Sequence, residues 1–223
     1  MHLFELVNTL SDKRYKSYLE IGVDWGTTFN QVDIVDKTGV DPALKVPSST
    51  LTGTFYDQTS DDYFVTHNDT FDCILIDGLH TYEQSRRDFE NAWKRLNSGG
   101  VVIIDDCDPA DDLAALPDVD ACMRGRAERG TPEDMTWNGD VYKTVIWLND
   151  CTDYAYAYVR DTRGYVVVWQ DTRRANRWFK DEAAIAACDY NTFKTLTLPT
   201  LTLGEIIDKV RPRFSLKALF GGR

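Results

Sequence analysis

Long apolar segments are missing from this sequence of 223 residues. Uninterrupted runs such as residues 101–104 (VVII) and 166–169 (VVVW) are a fraction of the ~20 residues that a membrane-spanning helix requires. The opening stretch MHLFELVNTLSDKRYKSY has no apolar h-region, so no secretory signal is expected and a cytoplasmic location is. Basic charge is also short: 25 Lys and Arg against 36 Asp and Glu leave a formal net charge of −11. That balance disfavours a nucleic-acid partner, because phosphate backbones require basic patches. The five cysteines are odd in number and contain no C-x-x-C pair, which argues against a cysteine-only zinc site and suits a reducing compartment. Internal repeats, low-complexity segments and a G-x-G-x-x-G motif are lacking too. What remains is ordinary for a globular chain: 43% hydrophobic and 27% charged residues, enough for one large domain whose core needs no metal or disulfide.

The apolar runs come early and evenly spaced. Residues 18–23 (YLEIGV), 38–40, 73–76 and 101–104 read as buried strands, the last three leading into Asp41, Asp77 and Asp105. Residues 82–96 read as a helix, with Phe89, Trp93 and Leu96 on one face and charged residues on the other, stopped by Asn97-Ser98-Gly99-Gly100. Alternating strands and helices imply a parallel sheet covered on both faces, an α/β fold. The polar, turn-rich stretch 109–139 is expected to be a loop over the site. Residues 141–148 fit helix or strand and are assigned to helix. Residues 154–160 and 165–170 around Asp161-Thr162-Arg163-Gly164 predict a β-hairpin, and helices are expected at 180–188 and 205–210. Residues 211–223 form a basic tail.

In an open parallel sheet, ligands bind beyond the carboxyl ends of the strands. Gly22 and Gly26 after the first strand would let the backbone approach a ligand, with Val23 between them and Thr27 or Thr28 at the next helix start; a bare tight turn is the plain alternative. Asp41, about 20 residues after the glycine turn, suits a pair of ribose hydroxyls, although an Asp before Pro42 can simply shape a turn. Asp77, Asp105 and Asp106 would emerge together, and three converging carboxylates repel unless protonated or holding a cation. Oxygen ligands favour a hard divalent ion, Mg²⁺ first, with Ca²⁺ and Mn²⁺ as alternatives. His80, three residues after Asp77, is the candidate general base. His2 and His67 are taken as surface residues.

The segments YLEIGVDWGTTF, KTGVDP, FDCILIDGLHTYEQSRRDFENAWKRLNSGGVVIIDDC and WNGDVYK resemble the class I S-adenosylmethionine-dependent methyltransferases. Within these they are similar to metal-dependent O-methyltransferases of the macrocin and cephalosporin-hydroxylase-like groups. The resemblance spans residues 18–170. It implies a doubly wound, Rossmann-like, mostly parallel seven-stranded sheet closed by one antiparallel strand. It places Glu20, Gly22 and Gly26 along the cofactor's methionine part and Asp41 on its ribose. Gln58, Ser60 and their neighbours pass the adenosine. The resemblance assigns Asp77, Asp105 and Asp106 to a metal and His80 to the base, with Asp77 also beside the cofactor.

The expectation is therefore an S-adenosylmethionine-dependent, metal-assisted O-methyltransferase for a small hydroxylated substrate: a sugar, a glycoside or a vicinal diol such as a catechol. A nucleotide-sugar-dependent transferase and a non-catalytic cofactor-binding module are the rivals. Residues 1–171 are read as the Rossmann-like domain, with 109–139 as a substrate lid carrying Arg124, Trp137 and Asn138 as contacts, and 172–223 as a helical extension with its tail. Neither nucleic acid nor membrane is expected as a partner, and a homo-oligomer is left open.

Overall fold

Alternate residues of each strand serve two separate cores. This computed structural model describes residues 1–174 and 176–211. In it β1 (Ser17–Ile21), β2 (Asp36–Val40), β3 (Thr54–Tyr56), β4 (Phe71–Ile76) and β5 (Leu96–Ile104) run parallel, and β6 (Tyr154–Val159) and β7 (Val166–Thr172) form the expected hairpin. The order is β3-β2-β1-β4-β5-β7-β6, and among the described strands β7 alone is antiparallel to its neighbours. An unexpected eighth strand, β8 (Thr200–Leu201), adds to the edge beside β6; two residues are too few to leave a period in the sequence.

Leu19, Ile21, Ile74, Ile76, Val102 and Ile104 point to one face, covered by α3 (Ser60–Thr66), α4 (Tyr82–Lys94) and α6 (Tyr142–Cys151). Tyr18, Cys73, Leu75, Val101 and Ile103 point to the other, beneath α1 (Leu3–Ser11), α2 (Thr27–Gln31) and α9 (Leu203–Val210). Two buried faces explain why these strands read as continuous apolar runs. The expected helix 82–96 ends two residues early, because Leu96 already pairs with Phe71 in the sheet. Residues 141–148 are indeed helical, and α6 is buried nearly all round, which erased the periodicity that would have marked it.

The stretch 109–139 is not the open loop expected. It contains α5 (Val119–Glu128), buries Ala114, Ala115 and Cys122, and is tied internally by the 3%-exposed Arg126, which donates to Asp111 and to the Thr136 carbonyl. Beyond residue 171, α7 (Glu182–Ala186) and α8 (Tyr190–Phe193) pack on the first core through Ile185 and Phe193. The last helix starts at Leu203, two residues before the expected 205, because Thr202 and Glu205 form a capping box, and it sends Ile206 and Val210 into the second core. Residues 212–223 of the basic tail lie outside the described residues. His67 is half-buried rather than free on the surface, its ring stacked on Tyr63 at 4.7 Å. No described helix is long and apolar enough to cross a membrane.

Register levels the strand ends. Ile21 pairs with Val40 and with Ile76, and Ile76 pairs with Ile104. Gly22, Asp41, Asp77 and Asp105 therefore leave the sheet along one edge.

Glu20, one residue before that edge, is 2% exposed and accepts a hydrogen bond from the Tyr18 hydroxyl at 2.6 Å. Burial outweighs that bond and pushes its carboxyl up to about 8 from 4.5. Between those values the folded chain holds a proton that the unfolded chain releases, so stability falls as pH rises through the window. Glu20→Gln keeps the acceptor for Tyr18 and should remove the slope, matching the parent at pH 5 and exceeding it by roughly 2 kcal/mol at pH 8.5 in urea unfolding. Parallel curves for the two proteins would show Glu20 to be ionised in the fold.

Candidate active site

The strand ends enclose a cleft of about 700 Å³, within the usual range for small-molecule sites. Gly22, Asp41, Ser60 and Asp77 line it, as the sequence led one to expect. Glu20, Val23, Gly26, Thr27, Thr28 and Gln58 are not among its walls. Two of them are visibly engaged elsewhere. Glu20 is spent on Tyr18. Gly26 begins α2 with φ +71°, and a Cβ there would press on Leu51 at 2.6 Å, so its role lies in packing. Gly22 has φ +86° and passes so near the Asp77 carbonyl that any side chain would collide with it.

Asp41, on the cleft wall, also carries bonds within the chain. Its Oδ2 accepts from the amides of Val23 (2.9 Å) and Asp24 (2.8 Å), and its Oδ1 from the amide of Ala43 (2.6 Å). The carboxylate thus shapes the loop after β1, holding Asp24 at φ +48°. Asp24, Asp61 and Asp88 add further acid to the walls against Lys45 and the imidazole of His80. Such a lining is wrong for the diphosphate of a nucleotide sugar, which needs cations around its oxygens.

At one end of the cleft stand Asp77, His80 and Asp106, with one donor atom from each within 4.8 Å of the others. His80 Nε2 is 3.0 Å from Asp106 Oδ2 and 3.7 Å from Asp77 Oδ1. Burial by itself would lower the imidazole, but the nearby carboxylates of Asp77 and Asp106 win and raise it to about 9. Burial lifts Asp77, and lifts Asp106 to about 6 against the pull of His80. Asp105, expected with Asp77 and Asp106, is not in this group. Its Oδ1 accepts from the amide of Asp106, and burial followed by repulsion from Asp77 and Asp106 pushes it well above the carboxylate range. Strand alternation separates two consecutive acids, and Asp106 reaches the cluster by taking φ +59°.

Four consecutive residues buttress the cluster. Trp137 stacks on the His80 ring at 5.1 Å, and its carbonyl lies 3.4 Å from Nδ1. Asn138 donates to Asp106 Oδ1 at 2.5 Å. Gly139, at φ +64°, lies against the His80 carbonyl where no Cβ would fit. Asp140 accepts from the Tyr82 amide at 2.7 Å and pairs with Lys143 at 2.9 Å, both buried. Thr81 at the start of α4 has no capping bond from its own side chain, so Asp140 supplies the cap across the fold. The indole of Trp137 also donates to the Leu116 carbonyl, which commits it to packing, and Arg124 is exposed on α5. The sequence had offered Trp137 and Asn138 as substrate contacts; the support they give to His80 and Asp106 is visible only once the chain is folded.

Residues 19–107 match the family described as a methyltransferase domain. That match runs from β1 through β5 and takes in the strand ends that line the cleft. A putative caffeoyl-CoA O-methyltransferase from Staphylococcus aureus superposes with a TM-score of 0.52 at 19% identity, over 74% of this chain and 81% of that one. A Podospora anserina methyltransferase bound to SAH gives 0.53 at 12% identity, over 75% and 77%. No curated protein matches the chain. The resemblance to class I methyltransferases and the enzyme reading are borne out, and the structural neighbours show the fold. The link from Asp140 to Tyr82, between the matched residues and the segment that follows them, carries a measurable cost. Asp140→Ala should destabilise the protein by about 3 kcal/mol, since it strands the buried Lys143 and uncaps α4. Urea unfolding reads this, and a change within roughly 0.5 kcal/mol, the scale of an inert surface substitution, would remove the strut from the account.

Proposed function

We propose that the chain is an S-adenosylmethionine-dependent O-methyltransferase for a small hydroxylated acceptor such as a sugar, a glycoside or a vicinal diol. The observation that carries this reading is the placement of His80, braced by Asp77 and Asp106, at the end of a cleft formed by the strand ends of a methyltransferase domain. S-adenosylmethionine, when bound, supplies a methyl group on positively charged sulfur. The acceptor hydroxyl loses its proton to His80 Nε2 as the oxygen–methyl bond forms. Asp106 and Asp77 hold the resulting imidazolium, and the Trp137 carbonyl accepts from Nδ1–H, which leaves Nε2 as the basic nitrogen of the neutral ring. As the sulfur–methyl bond breaks, the positive charge passes from sulfur to the imidazole, so alignment and exclusion of water are the main tasks of the protein.

The donor set fits a hard divalent cation held by Asp77 and Asp106, since Mg²⁺ is commonly bound through one or two carboxylates with its other positions left to water and substrate oxygens. Bound there, the ion would act as a Lewis acid on the acceptor hydroxyl. Repulsion between a dication and the imidazolium would also release His80 to act as a base. Asp105 is left out of this set. A cytoplasmic location belongs to the same proposal, supported by five free cysteines.

His80→Ala should lower kcat by roughly 10²–10⁴-fold while leaving affinity for S-adenosylhomocysteine close to that of the parent. Near-parental kcat would return His80 to a structural part. Exhaustive chelation should abolish turnover and lower the melting temperature only modestly, since the core stands without the ion. Turnover that survives chelation would remove the metal and leave methyl transfer intact.

A further inference from the structure

Against the acid–histidine cluster lies a second and much smaller cavity, with about 10 Å³ of free space, room for one water molecule. Five polar side chains line it, those of Asp77, His80, Ser85, Asp105 and Asp106. Three of them are engaged with one another, since His80 Nε2 lies 3.0 Å from Asp106 and 3.7 Å from Asp77. The other two, Ser85 and Asp105, line this cavity and not the large cleft. Ser85 stands in the first turn of α4, its amide donating to the Thr81 carbonyl at 2.9 Å. It is 2% exposed, and its hydroxyl has no partner among the described residues. A serine inside a helix commonly returns its hydroxyl to the carbonyl one turn back, and this one does not. A buried hydroxyl without a partner is costly. Asp105 is half satisfied in the same way: among the described residues only its Oδ1 has a partner, the Asp106 amide at 2.6 Å. A buried water needs two or more polar partners, and the cavity offers these two.

Resting on the cation reading above, we infer that Ser85 is a positioning residue: with Asp105 it holds one buried water against the cluster, and this bracket aims Asp106 at the cation without Ser85 or Asp105 ligating it. The water accepts from the Ser85 hydroxyl and donates to the free oxygen of Asp105, so both groups are satisfied at once. With Oδ2 anchored, Oδ1 stays on the Asp106 amide, while the amide of Asp105 itself donates to the Ile76 carbonyl at 3.0 Å. These bonds keep Asp106 at φ +59°, a left-handed conformation that a non-glycine residue holds only where its surroundings impose it. Asn138 fixes the carboxylate end of the same residue. Groups that orient a ligand in this way change metal affinity although they never touch the metal.

Two measurements on the full chain test this. A crystal structure fine enough to place waters should show a single water within hydrogen-bond distance of Ser85 Oγ and Asp105 Oδ2. A dry cavity overturns the inference, and so does a Mn²⁺ co-crystal in which Ser85 or Asp105 ligates the ion directly. In isothermal titration, Ser85→Ala should bind Mn²⁺ about 10–100-fold more weakly than the parent. Its affinity for S-adenosylhomocysteine should stay within about twofold, since neither residue lines the large cleft. A merely structural part would move both ligands together or neither, and either result overturns the inference. In an Asp105→Ala background, Ser85→Ala should add less than about twofold to the loss, because the two residues act through one water. The full Ser85 effect persisting in that background overturns it. Should a variant fail to fold, the water and the ion position in the parent still decide. A parent that takes up no Mn²⁺ defeats the cation reading and this inference together, while its binding of S-adenosylhomocysteine reports separately on the methyltransferase reading.

Discussion

The active-site end of the fold depends on the contact between residues 137–140 and the loop that carries His80. At Gly139 the two backbones are too close for a side chain, and on either side of that point polar and aromatic groups fasten one segment to the other. The segment is itself held down. Asn138 and Gly139 donate backbone N–H groups to the Ala114 carbonyl, and Arg126 fixes the turn before them. Much of the polar stretch 109–139 therefore acts as a brace whose far end is the imidazole. A loop that merely closed over a ligand would not need a 3%-exposed arginine.

That brace compresses like charges. Asp77, Asp105 and Asp106 all rise above the ordinary carboxylate range, with burial the leading cause for each, and His80 rises with them because a proton on the imidazole is the cheapest internal counter-charge. The same neighbourhood can be neutralised by a divalent cation on Asp77 and Asp106. If the proposed cation binds there, it would compete with that proton and so link its own occupancy to the protonation of His80.

The fold was legible because its signals are local and repeated. β1, β4 and β5 are apolar on both faces, and β2, β4 and β5 end in an acid at the same level, so the edge where Gly22, Asp41, Asp77 and Asp105 emerge could be read from spacing. The site was legible at the level of the edge and less so at the level of the atom. Asp105 and Asp106 are adjacent, and only the left-handed turn at Asp106 decides which carboxylate joins His80. Asp140, Lys143 and Arg126 carry buried ion pairs that no sequence period marks, since their partners lie in the folded chain. The two-residue β8 was missed because it is held by the Pro199 and Leu201 carbonyls rather than by any pattern of its own.

Asp41 shows why position alone does not fix a role. A carboxylate offers about four lone-pair directions, and here three are taken by the amides of Val23, Asp24 and Ala43. One direction remains, which is enough for a single ribose hydroxyl and too little for the two-pronged grip its place after β2 suggests. The larger share of its charge organises the loop after β1, and that loop sets the mouth of the cleft. Removing the carboxylate would release Asp24 from a backbone conformation that non-glycine residues seldom hold. Any loss of affinity at Asp41 thus combines a bond to the ligand with a change in the loop that frames it.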